Sequence, residues 1–354
     1  MFLSFPAGII SYTIGYRVES RRDLIHMHTP LIPALIVLLL IGLLGTVFLL
    51  SEDDGDQLVT IIYIGEEGDF GFLDSSFRGL QRAQEEFGFT IREIQIQKEP
   101  DSDPVMSPDG IRSDLVLILG GMMNEYAEEV QQQYPDTPII LIDAAEPVHG
   151  QNSRSVSFDM SGASYLAGIL AANMTQTGVI GVIGVEDAPV IHSYTGGFVA
   201  GVYRDQPDIR VITTYLADDA AGYTMPEEAG VITRRMYDKG ADLVFVVAGG
   251  SGSGAIRAAE ALPGMHIIGV DADQSVLSPD TVVASVVKNL DEVVYHEVAD
   301  VFRGSFSPGT ARIGLEKGGT AIIVNPEFSY LKPFIESRYD EAVAMEADNS
   351  KNQS

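Results

Sequence analysis

Val244-Phe245-Val246-Val247-Ala248-Gly249-Gly250-Ser251-Gly252-Ser253-Gly254 is followed, about one helix length later, by Ile267-Ile268-Gly269-Val270-Asp271-Ala272-Asp273-Gln274. Each half is a continuous apolar run, the pattern of a strand buried on both faces of a parallel sheet. The first run ends in a turn where glycines expose backbone, and the second ends on a carboxylate. In an open α/β sheet, ligands bind beyond the carboxyl ends of the strands. The pair therefore predicts a site for a hydroxyl-rich ligand, on a chain otherwise short of catalytic groups.

The same alternation extends outward. Apolar, β-rich runs at 58–64, 114–119, 138–143, 155–158, 179–185, 211–215, 243–247, 266–270 and 282–287 are separated by helical spacing at 77–87, 126–134, 161–173, 195–203, 226–239, 254–262 and 290–302. Repeated βαβ units require parallel sheets with helices on both faces. About ten such strands exceed one comfortable sheet, so the sequence predicts two similar lobes. Small residues along one side of 161–173 predict close helix packing. No repeat of 20–50 residues is visible.

The chain has 354 residues, 45% of them hydrophobic, enough to fill two cores. Its net charge of −28 argues against nucleic acid or an anionic lipid surface as partner of the folded body. With no cysteine, disulfides, thiolate catalysis, cysteine-based metal sites and a lipid-modified N-terminal cysteine are excluded. Residues 31–50 form an almost unbroken apolar run, long enough to span a bilayer core of about 30 Å. Arg17, Arg21 and Arg22 precede it; Glu52, Asp53, Asp54 and Asp56 follow. The positive-inside rule then keeps the N-terminus cytoplasmic and exports the rest. A cleaved signal is the alternative, although Val47-Phe48-Leu49-Leu50-Ser51 offers no small-x-small cleavage site.

Several chemistries can be weighed against this pattern. A dinucleotide fingerprint counted from Gly250 would place its third small residue at Ala255, with Asp271 as the later acid; counted from Gly252, the third position falls on Arg257. No glycine-rich turn is followed by the lysine and hydroxyl of a phosphate loop, and the six histidines form no His-x-x-x-His or His-Glu-x-x-His arrangement. Ser251 and Ser253 read as turn residues rather than nucleophiles. In Gly68-Asp69-Phe70-Gly71-Phe72-Leu73-Asp74-Ser75-Ser76, Asp69 beside Phe72 offers an acceptor and an aromatic face to a planar heterocycle. Phe72 can equally be a core residue at a helix start capped by Asp74 or Ser75. Lys288, at the tip of a buried strand, either clamps vicinal hydroxyls together with Asp271 or reaches solvent.

Taken together, these stretches resemble the basic membrane protein family of ABC-transporter substrate-binding proteins, whose best-understood members bind purine nucleosides. The likeness is ordered along residues 58–340: the loop and helix 68–80; the unit 114–143 with Tyr134-Pro135-Asp136; Ser164-Tyr165-Leu166-Ala167-Gly168; Ala248 to Gly254; then Gly269-Val270-Asp271-Ala272-Asp273-Gln274-Ser275 and Ser285-Val286-Val287-Lys288-Asn289. The resemblance implies an α/β, type I periplasmic-binding-protein fold, two doubly wound lobes with a ligand cleft; the apolar run 31–50 adds one preceding transmembrane helix, where the family typically has a lipid anchor. Hydropathy and charge give a cytoplasmic stretch 1–28, an anchor or uncleaved signal at 29–50 and an acidic linker at 51–57, and the resemblance adds lobe I from 58–158 plus about 285–313, lobe II from 159–284 plus about 314–340, and a polar tail 341–354. By motif position, Phe72 would stack on a base and Asp69 bond its edge, while Gly249, Asp271 and Lys288 hold the ribose. Gly120, Met122, Asp218 and Tyr223 are further candidates. The second-lobe stacking aromatic falls on Ala217, which Tyr215 or Tyr223 would replace. The implied partners are a nucleoside-like ligand, the permease and ATPase subunits of an importer, and the membrane through the N-terminal helix. No cofactor, metal or nucleic acid is implied. The alternatives are a nucleotide-cofactor enzyme built on the glycine turn and a ligand-sensing receptor of the same fold.

Overall fold

The structure, a computed structural model, describes residues 57–64, 71–96 and 112–352. The apolar run 31–50 and Asp69 lie outside them. Among the described residues no helix is long and apolar enough to cross a membrane.

Twelve strands among the described residues form two six-stranded sheets: β1 (Leu58–Tyr63), β2 (Thr90–Gln95), β3 (Leu115–Leu119), β4 (Ile139–Ile142), β5 (Ser153–Phe158), β6 (Val179–Gly184), β7 (Arg210–Tyr215), β8 (Leu243–Val247), β9 (His266–Asp271), β10 (Val282–Lys288), β11 (Gly309–Ile313) and β12 (Thr320–Val324). The first sheet runs β11-β5-β4-β3-β1-β2 and the second β12-β10-β9-β8-β6-β7. The two orders are the same doubly wound pattern, so each strand of one lobe has a counterpart in the other. All pairings are parallel except β12 against β10. The expected lobes are therefore present. β2, β11 and β12 are additions: partly exposed edge strands absent from the sequence reading, β2 and β11 for want of an apolar run.

The central strands are buried on both faces and covered by helices. In lobe I, α1 (Phe72–Phe87) and α7 (Leu290–Phe302) pack on one face and α2 (Asn124–Gln133) on the other. In lobe II, α3 (Ser161–Met174) lies against α4 (Pro189–Asp205), followed by α5 (Pro226–Asp238) and α6 (Gly252–Glu260). The α3–α4 approach depends on Gly168, Gly197 and Gly201, since a Cβ at any of them would enter the opposite helix backbone. This is the small-residue packing expected from the sequence.

Three crossovers join the lobes. The chain leaves lobe I at Phe158–Asp159, returns after Lys288, and leaves again at Ile313–Gly314. Because β10 pairs with β9 and β12 as far as Lys288, the return falls at Asn289, not near 285 as the sequence reading placed it. The crossovers are tied together: Asp159 donates its N–H to the Ile313 carbonyl at 2.9 Å, and Arg312 pairs with the Asp159 carboxylate at 2.8 Å.

The expected polar tail is a docked helix. After the short α8 (Lys332–Glu336), α9 (Tyr339–Asn352) buries Ala342 and Glu346 against α3 and the third crossover. Tyr339 donates to the Leu315 carbonyl at 2.8 Å, and Glu346 accepts from the Leu315 N–H at 2.9 Å. Gly162 and Gly314 leave the space that the Glu346 carboxylate fills. Burial, opposed by the backbone donor of Leu315 and helped by the charge of Asp159, raises the Glu346 pKa above 4.5. A raised carboxyl pKa favours the fold most below 4.5, and that contribution is lost as pH rises through the raised value. Glu346→Gln, which has no proton to lose, is expected to gain stability relative to the wild type as pH climbs from 4.5 towards neutrality. Denaturant unfolding of both proteins across that range checks it; a flat or reversed difference contradicts it.

Candidate functional site

The carboxyl ends of the central strands of both sheets meet at one buried cluster. Lys288 ends β10, and its side chain is only 5% exposed. Its ammonium donates to Asp143 Oδ2 at 2.6 Å, across the cleft from lobe II to lobe I. The rings of Phe158, Phe72 and Tyr194 surround it, with centroids 5.6, 5.7 and 5.8 Å from Nζ. Burial works against the ammonium, but Asp143 and Asp271 outweigh it and raise the Lys288 pKa above 10.5. The lysine is therefore charged throughout the physiological range, enclosed by two carboxylates and three aromatic faces.

The two carboxylates occupy equivalent places. Asp143 follows β4 and Asp271 ends β9, the matching strands of the two sheets. Among the described residues, they are the only non-glycine residues with positive φ, at 63° and 70°. Left-handed backbone is costly for most L-residues, and aspartate is among the few that tolerate it. Each strand thus turns sharply at its end and presents a carboxylate to the cleft. Tyr194 of α4 donates to Asp271 Oδ1 at 2.8 Å.

Gly249 opens the turn after β8 with φ of 49°, and a Cβ there would meet the Tyr223 ring at 2.8 Å. Only glycine permits both the conformation and that contact. Burial, then the charges of Asp271, Asp143 and Glu186, push the Tyr223 phenol up to about 12. Ser251 is consumed structurally: its hydroxyl donates to the Gly222 carbonyl at 2.7 Å and accepts from the Met225 N–H at 2.6 Å. Ser253 donates to the Gly250 carbonyl at 3.0 Å, as a turn residue does.

Of the residues expected from sequence, Phe72, Gly249, Asp271, Lys288 and Tyr223 thus converge. Phe72 is the half-buried first residue of α1, packed on the lobe I core with its ring facing Lys288. The cap expected from Asp74 or Ser75 is absent, because Gly71 caps the helix without a side-chain bond. Gly120, with φ of 97°, and the exposed Met122 lie in the turn after β3, the lobe I counterpart of Gly249. Asp218 stands exposed in the bend after β7, outside the contacts of the cluster. Tyr215 packs instead against Gly184 and interacts with Asp187.

Asp143, Tyr194 and Phe158 were not singled out in the sequence. A signal existed for the first: Ile142-Asp143-Ala144 repeats Val270-Asp271-Ala272. A separate cavity of about 410 Å³, lined in part by Asp242, His266, Phe328 and Tyr330, lies at the amino end of β9, away from this cluster. Among the described residues no group of acidic and histidine side chains is placed to hold a metal.

The profile of the family described as "ABC transporter substrate-binding protein PnrA-like" matches residues 57–348. The chain belongs to this family. It is the substrate-binding component of an ABC transporter, a class that works outside the cytoplasm in association with the membrane. Basic membrane protein A of Borreliella burgdorferi is 29% identical over 309 residues, covering 82% of this chain and 88% of that one. Basic membrane protein D of the same species is 28% identical, covering 78% and 82%. Among solved structures, a solute-binding protein of an ABC transporter system from Aeropyrum pernix K1 is similar, with a TM-score of 0.66, 25% identity and coverage of 84% and 86%. A transcriptional activator of the comK gene from Bacillus halodurans has the same TM-score at 18% identity and shares the fold.

For this family member, the ion pair at the cleft floor has a measurable consequence. Removing one partner of a buried pair strands the other charge, at a cost of about 3–5 kcal/mol. Lys288→Met is expected to lose stability on that scale, with part of the loss recovered in Lys288→Met/Asp143→Asn, since asparagine tolerates the left-handed backbone at 143. Denaturant midpoints of the three proteins check this; a double variant less stable than the single one would mean the pair is not coupled.

Proposed function

We propose that this protein binds a nucleoside, a purine nucleoside foremost, between its two lobes and delivers it to an importer from a membrane tether at 31–50. The observation that carries the reading is the Lys288 ammonium held between carboxylates from both lobes, beside aromatic rings. Vicinal hydroxyls suit such a pair, because they accept from the ammonium and donate to a carboxylate. In this reading Asp271, Lys288 and the Gly249 backbone take the ribose, Phe72 stacks on the base and Asp69 bonds its edge. Tyr223 supplies the second-lobe aromatic where the family pattern reaches Ala217.

Ligand entry replaces the direct Lys288–Asp143 contact with contacts through the ligand. A ligand that touches both lobes favours the closed state by its extra affinity for that state. Closure of that kind is the signal the permease and ATPase subunits would read. The acidic surroundings disfavour phosphorylated forms, since a phosphate would face Asp143 and Asp271.

Calorimetry on the purified chain is expected to give tighter binding of inosine, guanosine or adenosine than of the matching free base. Equal affinity for nucleoside and base removes the ribose assignment; tight binding of an amino acid or oligosaccharide removes the ligand class.

Phe72→Ala is expected to weaken nucleoside binding by about 1–3 kcal/mol, the size of aromatic–base stacking. Its effect on unliganded stability should stay below the about 3–5 kcal/mol of a fully buried phenylalanine, because the residue is only partly buried. Melts with and without ligand separate the two effects. Unchanged affinity with a large loss of stability would return Phe72 to the core alone.

A further inference from the structure

We propose that Tyr194 is a positioning residue for the Asp271 carboxylate and thereby sets the preference of the site for a ribose with both hydroxyls. The proposal rests on the nucleoside reading above and deepens it.

The helix α4 buries Ile191, Tyr194, Phe198 and Val202, a stripe at helical spacing against the lobe II core. Three of these four are aliphatic or phenylalanine, and a fourth apolar side chain would pack there as well. A phenol at Tyr194 instead introduces a buried hydroxyl, which must be offset by a partner. That partner is Asp271 Oδ1, at 2.8 Å. Burial and the charges of Asp271 and Asp143 raise the Tyr194 pKa well above 10, so the group donates at every physiological pH.

Asp271 needs such a restraint. Its left-handed backbone, with φ of 70°, aims the side chain into the cleft. There the Lys288 ammonium, bonded to Asp143 at 2.6 Å, exerts a strong attraction on it. Rotation of that carboxylate towards the ammonium would withdraw its acceptor from a ligand in the cleft. The Tyr194 hydroxyl engages one oxygen and helps to restrain the group. Tyr194 lies on α4, whose separation from α3 is set by glycines with no room for a side chain, so the donor is rigidly held. This arrangement favours a ligand whose paired hydroxyls match a preset carboxylate.

The test compares inosine and 2′-deoxyinosine by calorimetry on the full chain, in wild type, Tyr194→Phe, Asp271→Ala and the double variant, each with a thermal melt. Tyr194→Phe is expected to lower inosine affinity about ten- to a hundredfold, the range for a hydrogen bond to a charged group, and to shrink the preference over 2′-deoxyinosine. In the Asp271→Ala background it should have no further effect, because the residue acts through that carboxylate. Unchanged affinity and preference in Tyr194→Phe, or simple addition of the two single effects, overturns the role. A Tyr194→Phe protein that does not fold makes the tyrosine structural and also overturns it. A wild type that binds neither nucleoside overturns the receptor reading, and this role with it, which is distinct from a wild type that binds while the variant is unaffected.

Discussion

A buried ammonium constrains most of what surrounds it. Lys288 emerges from the end of a central strand into a space where water is nearly excluded, and an isolated charge there would be prohibitive. Its stabilising partner cannot come from its own lobe alone, because the 2.6 Å bond is to Asp143 at the end of a strand in the other sheet. The two sheets must therefore point their carboxyl ends at each other in the state described, and the lobes meet at a charged floor rather than an apolar one. An apolar floor would hold the lobes shut whether or not a ligand is present. A charged one can be exchanged for a polar ligand at much lower cost, which suits a cleft that must open and close.

The pseudo-equivalence of the lobes makes this geometry possible. Identical strand orders bring β4 and β9 to matching positions, and each is followed or ended by an aspartate in left-handed backbone. Gly120 and Gly249 occupy matching turns after β3 and β8, again with positive φ. The cleft is thus lined by the same backbone device twice, facing itself. The lobes differ in what they add: lobe II contributes the lysine, Tyr194 and Tyr223, whereas lobe I contributes Phe72 and Phe158. A common backbone frame thus carries different side chains in the two lobes.

The doubly wound lobes were legible because their central strands are apolar on both faces, so their sequences are unbroken runs. β2 was not, since Thr90, Arg92 and Glu93 give an edge strand no such run, and charged edges are how open sheets avoid further pairing. α9 was hidden for a related reason: it docks through a buried glutamate on backbone N–H groups, which reads as solvated polarity in the sequence. The crossover lies at Asn289 rather than near 285 because β10 stays paired through Lys288, whose charge remains buried.

The site shows the same division. Asp271, Lys288 and Gly249 stand out in the sequence because each closes a strong apolar run, where a charge or a glycine is conspicuous. Tyr194 could not, because a tyrosine in a helical apolar stripe looks like core until the carboxylate above it is known. The glycine-rich turn misled in the opposite direction, since its spacing came close to a cofactor fingerprint. In the fold each of its features has a local cause. Gly249 makes room for Tyr223, Gly254 lies against the Pro226 carbonyl with no room for a side chain, and Ser251 ties the turn to the Gly222–Met225 segment. The glycines therefore bring the Tyr223 turn close enough for its ring to lie beside Gly249 and within the field of Asp271. Close backbone packing, rather than a pyrophosphate, accounts for the composition of that turn, and the same packing delivers an aromatic face to the cleft.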